Sequence, residues 1–135
     1  MFLLDTNVVS ETAKRRPNVG VMNWIEGTGT ENLWICAITV GEIVKGIARL
    51  RPIDPLRASQ LMNWWTKLES AYTDRILPFD AAIAHRWGEL RAGNPNMSVE
   101  DSLIASISLA KGLTLVTRNI RDFAPAGVPL IDPFD

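Results

Sequence analysis

The sequence predicts an α/β protein, a three-layer α/β/α sandwich with a mainly parallel central sheet. Two observations lead to this prediction. Short apolar segments, as expected for buried strands, alternate along the chain with longer segments of helical periodicity. This alternation is the pattern of β-α-β units, in which helices cover both faces of a parallel sheet. With 135 residues and no internal repeat, the chain is predicted to form one domain over residues 1–135.

Five segments have the composition of strands. The first, Phe2-Leu3-Leu4, is a short apolar run that an acid ends at once. The fourth, Leu113-Thr114-Leu115-Val116-Thr117, is the clearest, because it is rich in apolar and β-branched residues. The predicted strands span residues 2–4, 33–37, 76–79, 113–117 and 128–131.

Six segments between the strands have helical patterns. Pro17 ends the first of them, since a proline disfavours helical geometry in the residue before it. Asn18, Asp80 and Ser98 are in position to cap the helices that follow them. The predicted helices span residues 8–14, 18–25, 39–50, 56–73, 80–91 and 98–111, and residues 119–123 form a turn or a single helical turn.

The helix that begins at Ser98 carries charged residues only near its ends. Its body is almost wholly apolar or small, which predicts burial on most sides, and Gly112 stands where a C-cap glycine is expected. Its first turn nevertheless carries two adjacent acids, Glu100 and Asp101, and no further charge follows until Lys111. A buried helix with acid only at its N-terminus points either to capping or to a site.

Composition excludes several classes of protein. Charges, glycines and prolines interrupt every apolar run, so no segment is predicted to span a membrane. The N-terminus lacks the basic region of a signal peptide. Cys36 is the only cysteine, which excludes an internal disulfide and indicates a reducing cytoplasm as the location.

The net charge of −1 argues against broad affinity for nucleic acid. That value averages over the whole surface, however. Carboxylates gathered around a cation would leave the rest of the molecule with a net positive charge. The composition therefore does not exclude an anionic substrate.

Four acids are predicted to meet at one edge of the sheet, because functional sites in open parallel sheets lie beyond the carboxyl ends of the strands. Asp5 follows the first strand, and Asp122 lies shortly after the fourth. Glu42 and Asp101 are each predicted in the first turn of a helix that begins at that edge. Clustered carboxylates repel unless a cation neutralises them, and an all-oxygen ligand set favours Mg²⁺ or Mn²⁺. Such an ion orients a phosphodiester and activates a water molecule.

Purely structural roles are available to two of these acids. Thr39 with Glu42, and Ser98 with Asp101, both fit a capping box or its aspartate variant. Acids in a first turn also complement the helix dipole. Capping alone does not require that acids from distant parts of the chain converge on one edge.

The other two acids also have structural alternatives, and one position is ambiguous. Asp5 is placed to cap the helix after the first strand, and Asp122 alone is an ordinary surface acid. Glu100 competes with Asp101 for a place at the site, and spacing cannot choose between them.

Four segments in order carry a family resemblance. The chain is similar from end to end to the PIN-domain ribonuclease toxins of bacterial VapBC-type toxin–antitoxin pairs, within their FitB-like branch. Each motif is weak alone, but four motifs at this spacing in a chain of this length form a strong signal. The segments are residues 3–7 (LLDTN), 38–42 (ITVGE), 100–105 (EDSLIA) and 115–123 (LVTRNIRDF).

The resemblance implies an endoribonuclease that depends on Mg²⁺ or Mn²⁺ and hydrolyses RNA by in-line attack of a metal-activated water. It selects Asp101 over Glu100, because the acid of the family directly precedes the Ser102-Leu103-Ile104-Ala105 run. Ser106 and Ile107 depart from the small residues usual after that run. The acidic site and metal ligands that it implies are Asp5, Glu42, Asp101 and Asp122, of which the last matches the most variable acid of the family, and the supporting polar residues are Thr6, Asn7, Thr117 and Asn119.

Partners and substrate contacts complete the expectation. The resemblance implies a homodimer and a cognate antitoxin, a small DNA-binding protein, that covers the cleft. Arg118 and Arg121 lie next to Asn119 and Asp122 in the chain and are candidates for contacts to RNA phosphates. Two rival functions remain open: a non-catalytic PIN-like interaction module, and a metal-dependent nuclease or phosphatase that acts on another ester.

Overall fold

Five parallel strands form one sheet in the order β3-β2-β1-β4-β5. The computed structural model describes all residues from 1 to 135. β1 is central and pairs with both β2 and β4, so the segment that opens the chain forms the middle of the sheet. All five predicted strands are present and parallel, although the last four are shorter than predicted. The strands are β1 Phe2–Leu4, β2 Leu33–Cys36, β3 Ile76–Leu77, β4 Thr114–Val116 and β5 Leu130–Ile131.

Seven α-helices connect the strands, and all six predicted helices are present. The residues predicted as a turn or a single helical turn form the seventh. Two short 3₁₀ segments, Thr30–Asn32 and Ala124–Ala126, precede β2 and β5. The helices are α1 Thr6–Glu11, α2 Val19–Thr28, α3 Ala37–Leu50, α4 Pro55–Ala71, α5 Ala81–Gly93, α6 Val99–Lys111 and α7 Ile120–Phe123.

Two helix starts differ from the prediction. α1 begins at Thr6 rather than at residue 8, because the Asp5 side chain caps it directly after the strand and accepts the Thr6 N–H. α3 begins at Ala37, directly after β2, with Cys36 as an N-cap residue whose side chain makes no capping bond. The prediction that Glu42 lies in the first turn of its helix is therefore wrong.

Two separate hydrophobic clusters lie on opposite faces of the sheet. Neighbouring strand residues alternate between them: Leu4 belongs to the cluster beneath α1, α2, α3 and α4, and Leu3 to the cluster beneath α5, α6 and α7. Trp65 is the largest side chain buried in the first cluster and Phe123 in the second. The predicted three-layer α/β/α sandwich is confirmed.

α6 begins and ends as predicted. The Ser98 hydroxyl accepts the Asp101 N–H at 3.1 Å, and Gly112 adopts the left-handed conformation with φ +65°. The helix body is buried even at its serines, because the Ser106 and Ser108 hydroxyls donate to backbone carbonyls at 2.6 and 2.7 Å. The α6 backbone is thus fixed at both ends and along its length. None of the seven helices combines the length and apolar character that crossing a membrane requires.

Candidate active site

Polar side chains collect at the carboxyl ends of β1 and β4, which lie side by side. Asp5 follows β1, and Thr117 follows β4. The strands run parallel, with Leu4 beside Val116, and the Asp5 N–H extends the pairing by donating to the Val116 carbonyl at 2.9 Å. The central pair of strands therefore brings the two side chains together.

Asp5 is almost completely buried, with 4% of its surface exposed. One carboxylate oxygen accepts the Thr6 backbone N–H at 2.8 Å. The other accepts the Thr117 hydroxyl at 2.7 Å and the Asn7 side-chain amide at 3.2 Å. All its partners are neutral, so they fix its position without compensating its charge.

Thr117 and Asn7 connect the ends of β1 and β4. Besides donating to Asp5, the Thr117 hydroxyl accepts the Asn119 backbone N–H at 3.0 Å. The oxygen of the Asn7 side-chain amide accepts the Arg118 backbone N–H at 3.3 Å. Asn119 thus contributes through its backbone, and its exposed side chain makes no hydrogen bond to the protein.

Glu42 lies in the second turn of α3, half-buried, and is connected to the end of β1 by hydroxyl groups. The Thr6 hydroxyl donates to the Glu42 carboxylate at 2.9 Å and lies 3.1 Å from the Thr39 hydroxyl. A hydroxyl has one hydrogen, and an ionised carboxylate only accepts. Because Thr6 donates to Glu42, Thr39 must donate to Thr6.

Thr39 is a member of the site that the sequence interpretation missed. It was assigned to a capping box with Glu42, which is wrong, because the helix begins before it. Its side chain is completely buried, and the hydrogen-bond partners of its hydroxyl are the Thr6 hydroxyl and, at 3.8 Å, the Cys36 thiol. The signal that could have found it is its spacing of three residues from Glu42, which puts both on one face of α3.

Asp101 lies half-buried in the first turn of α6 and lines an open cleft of about 590 Å³ together with Asp122. Asp122 is exposed on α7 and makes no hydrogen bond through its side chain. The neighbouring Glu100 pairs instead with Lys45 of α3, at 3.2 Å. Asp101 therefore lies in the capped first turn of α6 and, at the same time, beside Asp122 in the cleft.

Burial is the largest cause of the raised pKa of Asp5. The hydroxyl of Thr117 and the backbone N–H of Thr6 lower the pKa in part, and the negative charge of Asp101 raises it further. Removing a carboxylate from water disfavours its charged form, and a second negative charge adds to that cost. The charge on Asp5 is thus held at a cost in free energy.

The pKa values of Glu42 and Asp101 are raised for the same reasons as that of Asp5. Burial is the first cause of the raised pKa of each. The charges of Glu100 and Asp5 raise the pKa of Glu42 further, and those of Asp122 and Glu100 raise the pKa of Asp101. The acids therefore act on one another through space, as expected of carboxylates that share one edge of a sheet.

The sequence matches the PIN-domain family over residues 2–127. The chain belongs to the PIN-domain family. It is 37% identical to the plasmid stability protein StbB of Pseudomonas syringae pv. tomato, over all of this chain and 99% of that protein. It is 32% identical over the same shares to the VapC ribonuclease Y4jK of Sinorhizobium fredii.

The fold of this PIN domain also matches solved structures. The crystal structure of FitAcB from Neisseria gonorrhoeae agrees with it at a TM-score of 0.85 and 31% identity, covering 98% of each chain. The predicted membership of the VapC and FitB group of PIN domains is confirmed.

The PIN domain contains no three acidic, histidine or cysteine side chains close enough together to surround one metal ion. The donor set nevertheless suits Mg²⁺, which keeps several of its own water molecules and is held by one or two carboxylates plus substrate phosphate. Neither Asp5 nor Asp101 forms an ion pair with a lysine or an arginine. The two carboxylates act on each other through their charges and provide such a pair of oxygen donors. The residues therefore fit a hydrated ion.

The two arginines of this PIN domain that were predicted to contact RNA lie beside the site. The Arg118 guanidinium stacks over the Phe134 ring, 4.8 Å from its centre. Arg121 is exposed on α7 and forms no ion pair. Their contact with RNA stays a prediction.

Proposed function

We propose that this PIN domain is a divalent-metal-dependent endoribonuclease and the toxin of a toxin–antitoxin pair. The observation that carries the proposal is the state of Asp5. Its carboxylate is buried, held by three neutral donors, and repelled by Asp101 with no cation of the protein in contact. Such a charge is costly in a metal-free chain and is stabilised by an added cation.

Asp5, Glu42 and Asp101 would hold Mg²⁺ or Mn²⁺, directly or through water, with Asp122 in support. When bound, the ion supplies polarisation of the phosphodiester and activation of a water molecule. Thr117 keeps the Asp5 carboxylate in one orientation. The Thr39–Thr6 chain of hydroxyls does the same for Glu42.

RNA is the proposed substrate. The relative from Sinorhizobium fredii is named a VapC ribonuclease, and the two chains align over their whole lengths. Arg118 directly follows Thr117, and Arg121 directly precedes Asp122. Cations at these positions would neutralise phosphates that lie on either side of the one that is cut. The supporting polar residues Asn7 and Asn119 would keep this segment in place.

The proposed partners are a cognate antitoxin and a second copy of the chain. Structures that this fold matches, such as FitAcB, are of toxin–antitoxin complexes. A small DNA-binding antitoxin that covers the cleft would keep RNA from the acids. The proposed place of action is the cytoplasm, where RNA substrates are found.

RNA cleavage by the antitoxin-free chain tests the proposal. The chain should cut single-stranded RNA with added Mg²⁺ or Mn²⁺ and stop when EDTA is added. Asp101→Asn should abolish the cleavage, and the matched control Asp74→Asn, at an exposed aspartate outside the site, should cut as fast as the wild type. Cleavage that continues in Asp101→Asn would show that the site is assigned wrongly. No cleavage of any RNA, with no effect of the metal on thermal unfolding, would favour a non-catalytic module.

A further inference from the structure

The cleft that Asp101 and Asp122 line has no other charged residue on its wall. Both acids stand on its border, and no lysine or arginine lines it. Its volume of about 590 Å³ lies within the range of clefts that hold small organic molecules. The wall is formed by the loop between α5 and α6, residues 94–98, with Pro125 also on the border.

This loop is held in one conformation from both sides. The Met97 side chain is buried in the cluster beneath α5, α6 and α7, with 9% of its surface exposed. Its N–H donates to the Asn94 carbonyl at 3.2 Å, and its own carbonyl accepts the Arg91 guanidinium. The Asn94 side chain donates back to the Leu90 carbonyl at 3.1 Å. The loop is therefore rigid enough to position a ligand.

Asn96 is the member of this loop without a partner. It lines the cleft, is exposed, and its side-chain amide makes no hydrogen bond to the protein, unlike the side chains of Asn94 and Ser98. The neighbouring Asn94 amide is tied to the backbone, whereas the Asn96 amide keeps its donors and its acceptor free. It stands between Pro95 and the anchored Met97. The loop thus presents one free amide from a fixed backbone.

The charge of the cleft decides what kind of group fits there. Two carboxylates line the cleft, and no lysine or arginine offsets their repulsion of a phosphate. A phosphate would therefore bind only beside a metal ion held at the acidic end. The neutral wall offers amide donors and acceptors together with the apolar faces of Pro95 and Pro125. A nucleobase is flat, neutral and carries both donors and acceptors on its edge, and an asparagine amide pairs with such an edge.

We propose that the cleft is a nucleobase subsite, in which Asn96 hydrogen-bonds to the edge of one unpaired base next to the phosphate that is cut. This inference rests on the proposed ribonuclease function and names the substrate class of that site. The base must leave its stack to enter the cleft, so the substrate is single-stranded RNA or a loop, not a duplex. Asn96 then determines sequence preference.

Binding of free nucleosides to the full-length, metal-free chain tests the subsite without turnover. Adenosine, cytidine, guanosine and uridine are neutral, so the acids do not repel them. One of the four should shift the NMR signals of the Asn96 side-chain amide more than the other three. The exposed Asn23 of α2, on the opposite face of the sheet, is the matched control and should not shift. No nucleoside-selective shift of Asn96 would overturn the inference.

Cleavage of a pool of single-stranded RNA with random sequence, followed by sequencing of the new ends, tests specificity. The wild type should prefer one base at a single position beside the cut. Asn96→Ala should lower cleavage of the preferred sequences roughly tenfold, towards the rate on the other sequences. Asn23→Ala should keep both the rate and the preference. Cleavage whose preference is the same in Asn96→Ala and the wild type would overturn the inference and leave the ribonuclease function intact.

The two experiments separate the inference from the function on which it rests. Selective nucleoside binding without cleavage of any RNA would overturn the proposed activity and leave a base-binding cleft. A third result would reassign the cleft altogether. If Asn96→Ala weakened binding of the antitoxin and changed neither nucleoside binding nor cleavage, the wall would be a protein contact and the proposal would be wrong.

Discussion

Two buried carboxylates stand at the two ends of one short helix, α1, and their surroundings are opposite. Asp5, before its first residue, has 4% of its surface exposed, and Glu11, its last residue, has 6%. Glu11 pairs with Lys14 at 2.8 Å and accepts the Asn18 N–H at 2.9 Å. Asp5 has only neutral donors and a repelling acid nearby.

The pKa values of the two acids differ accordingly. The Lys14 ammonium lowers the pKa of Glu11, and burial raises that of Asp5. The fold itself supplies the cation that Glu11 needs and supplies none for Asp5. The comparison supports a structural role for Glu11 and the proposed role of Asp5 as a ligand of a cation from outside the chain. Each prediction below tests one side of this difference.

Asp5→Asn is expected to have the largest effect. The amide has nearly the same shape but loses the charge, so metal-dependent RNA cleavage should fall roughly a hundredfold or more. Single-turnover rates at saturating Mg²⁺ would measure the loss, and circular dichroism would show that the variant is folded. A variant that is folded and cuts at the wild-type rate would remove Asp5 from the site.

Thr39→Val is expected to lower cleavage roughly tenfold, because it removes the donor that holds the Thr6 hydroxyl on Glu42. The Mg²⁺ concentration for half-maximal cleavage should also rise, which a change in packing alone would not produce. Thr39→Ser keeps the hydroxyl and should restore both values. Equal losses in the valine and serine variants would mean that Thr39 only packs.

Glu11→Gln should have effects opposite to those of Asp5→Asn, namely a loss of stability without a loss of RNA cleavage. Losing the charge that pairs with Lys14 should lower the free energy of unfolding by about 1 kcal/mol, while cleavage at temperatures well below the transition stays unchanged. Urea unfolding measures the first quantity. Glu26→Gln, at an exposed position of α2, is the matched control and should leave stability unchanged. A folded Glu11→Gln that does not cut RNA would contradict the comparison.

The pH dependence of the metal-free chain should follow the raised pKa values of Asp5, Glu42 and Asp101. Above the ordinary values of 3.8 for aspartate and 4.5 for glutamate, the folded state binds more protons than the unfolded state. Stability should therefore fall as the pH rises above these values, and the chain in EDTA should be less stable at neutral pH than just above pH 4.5.

Two variants separate the acids that cause this slope. Glu11, with its lowered pKa, contributes the opposite sign and loses its stabilising effect only as the pH falls below 4.5. Glu11→Gln should therefore keep the slope above that pH, and Asp5→Asn should flatten it. A stability that rises with pH in EDTA would contradict the account.

The sequence predicted most of the fold because its signals were local. The Ser98 cap, the left-handed Gly112 and the alternation of apolar runs with helical segments each depend on a few neighbouring residues. The start of α3 was missed because Ala37 follows β2 directly and no capping side chain marks it. The order of the strands depends on pairing between distant segments, which no local pattern specifies.

The site was predictable in part for the same reason. The residues of the four acids were named in advance, since parallel strands share one carboxyl edge. The hydroxyl of Thr39 was not, because its role depends on a contact with Thr6, 33 residues away in the chain. The stacking of Arg118 on Phe134 joins distant segments as well. Residue spacing places Thr39 on the same face of α3 as Glu42, but it does not specify contacts between distant segments of the chain.

Thermal unfolding of three chains with and without Mg²⁺ or Mn²⁺ tests the central claim most directly. The metal should stabilise the wild type, by roughly 2.7 kcal/mol at a hundredfold excess over the dissociation constant. Glu11→Gln should gain as much from a lower starting point, and Asp5→Asn should gain almost nothing. If the metal stabilised Asp5→Asn as much as the wild type, or did not stabilise Glu11→Gln, the result would contradict the claim that only the Asp5 end of α1 requires a cation from outside the chain.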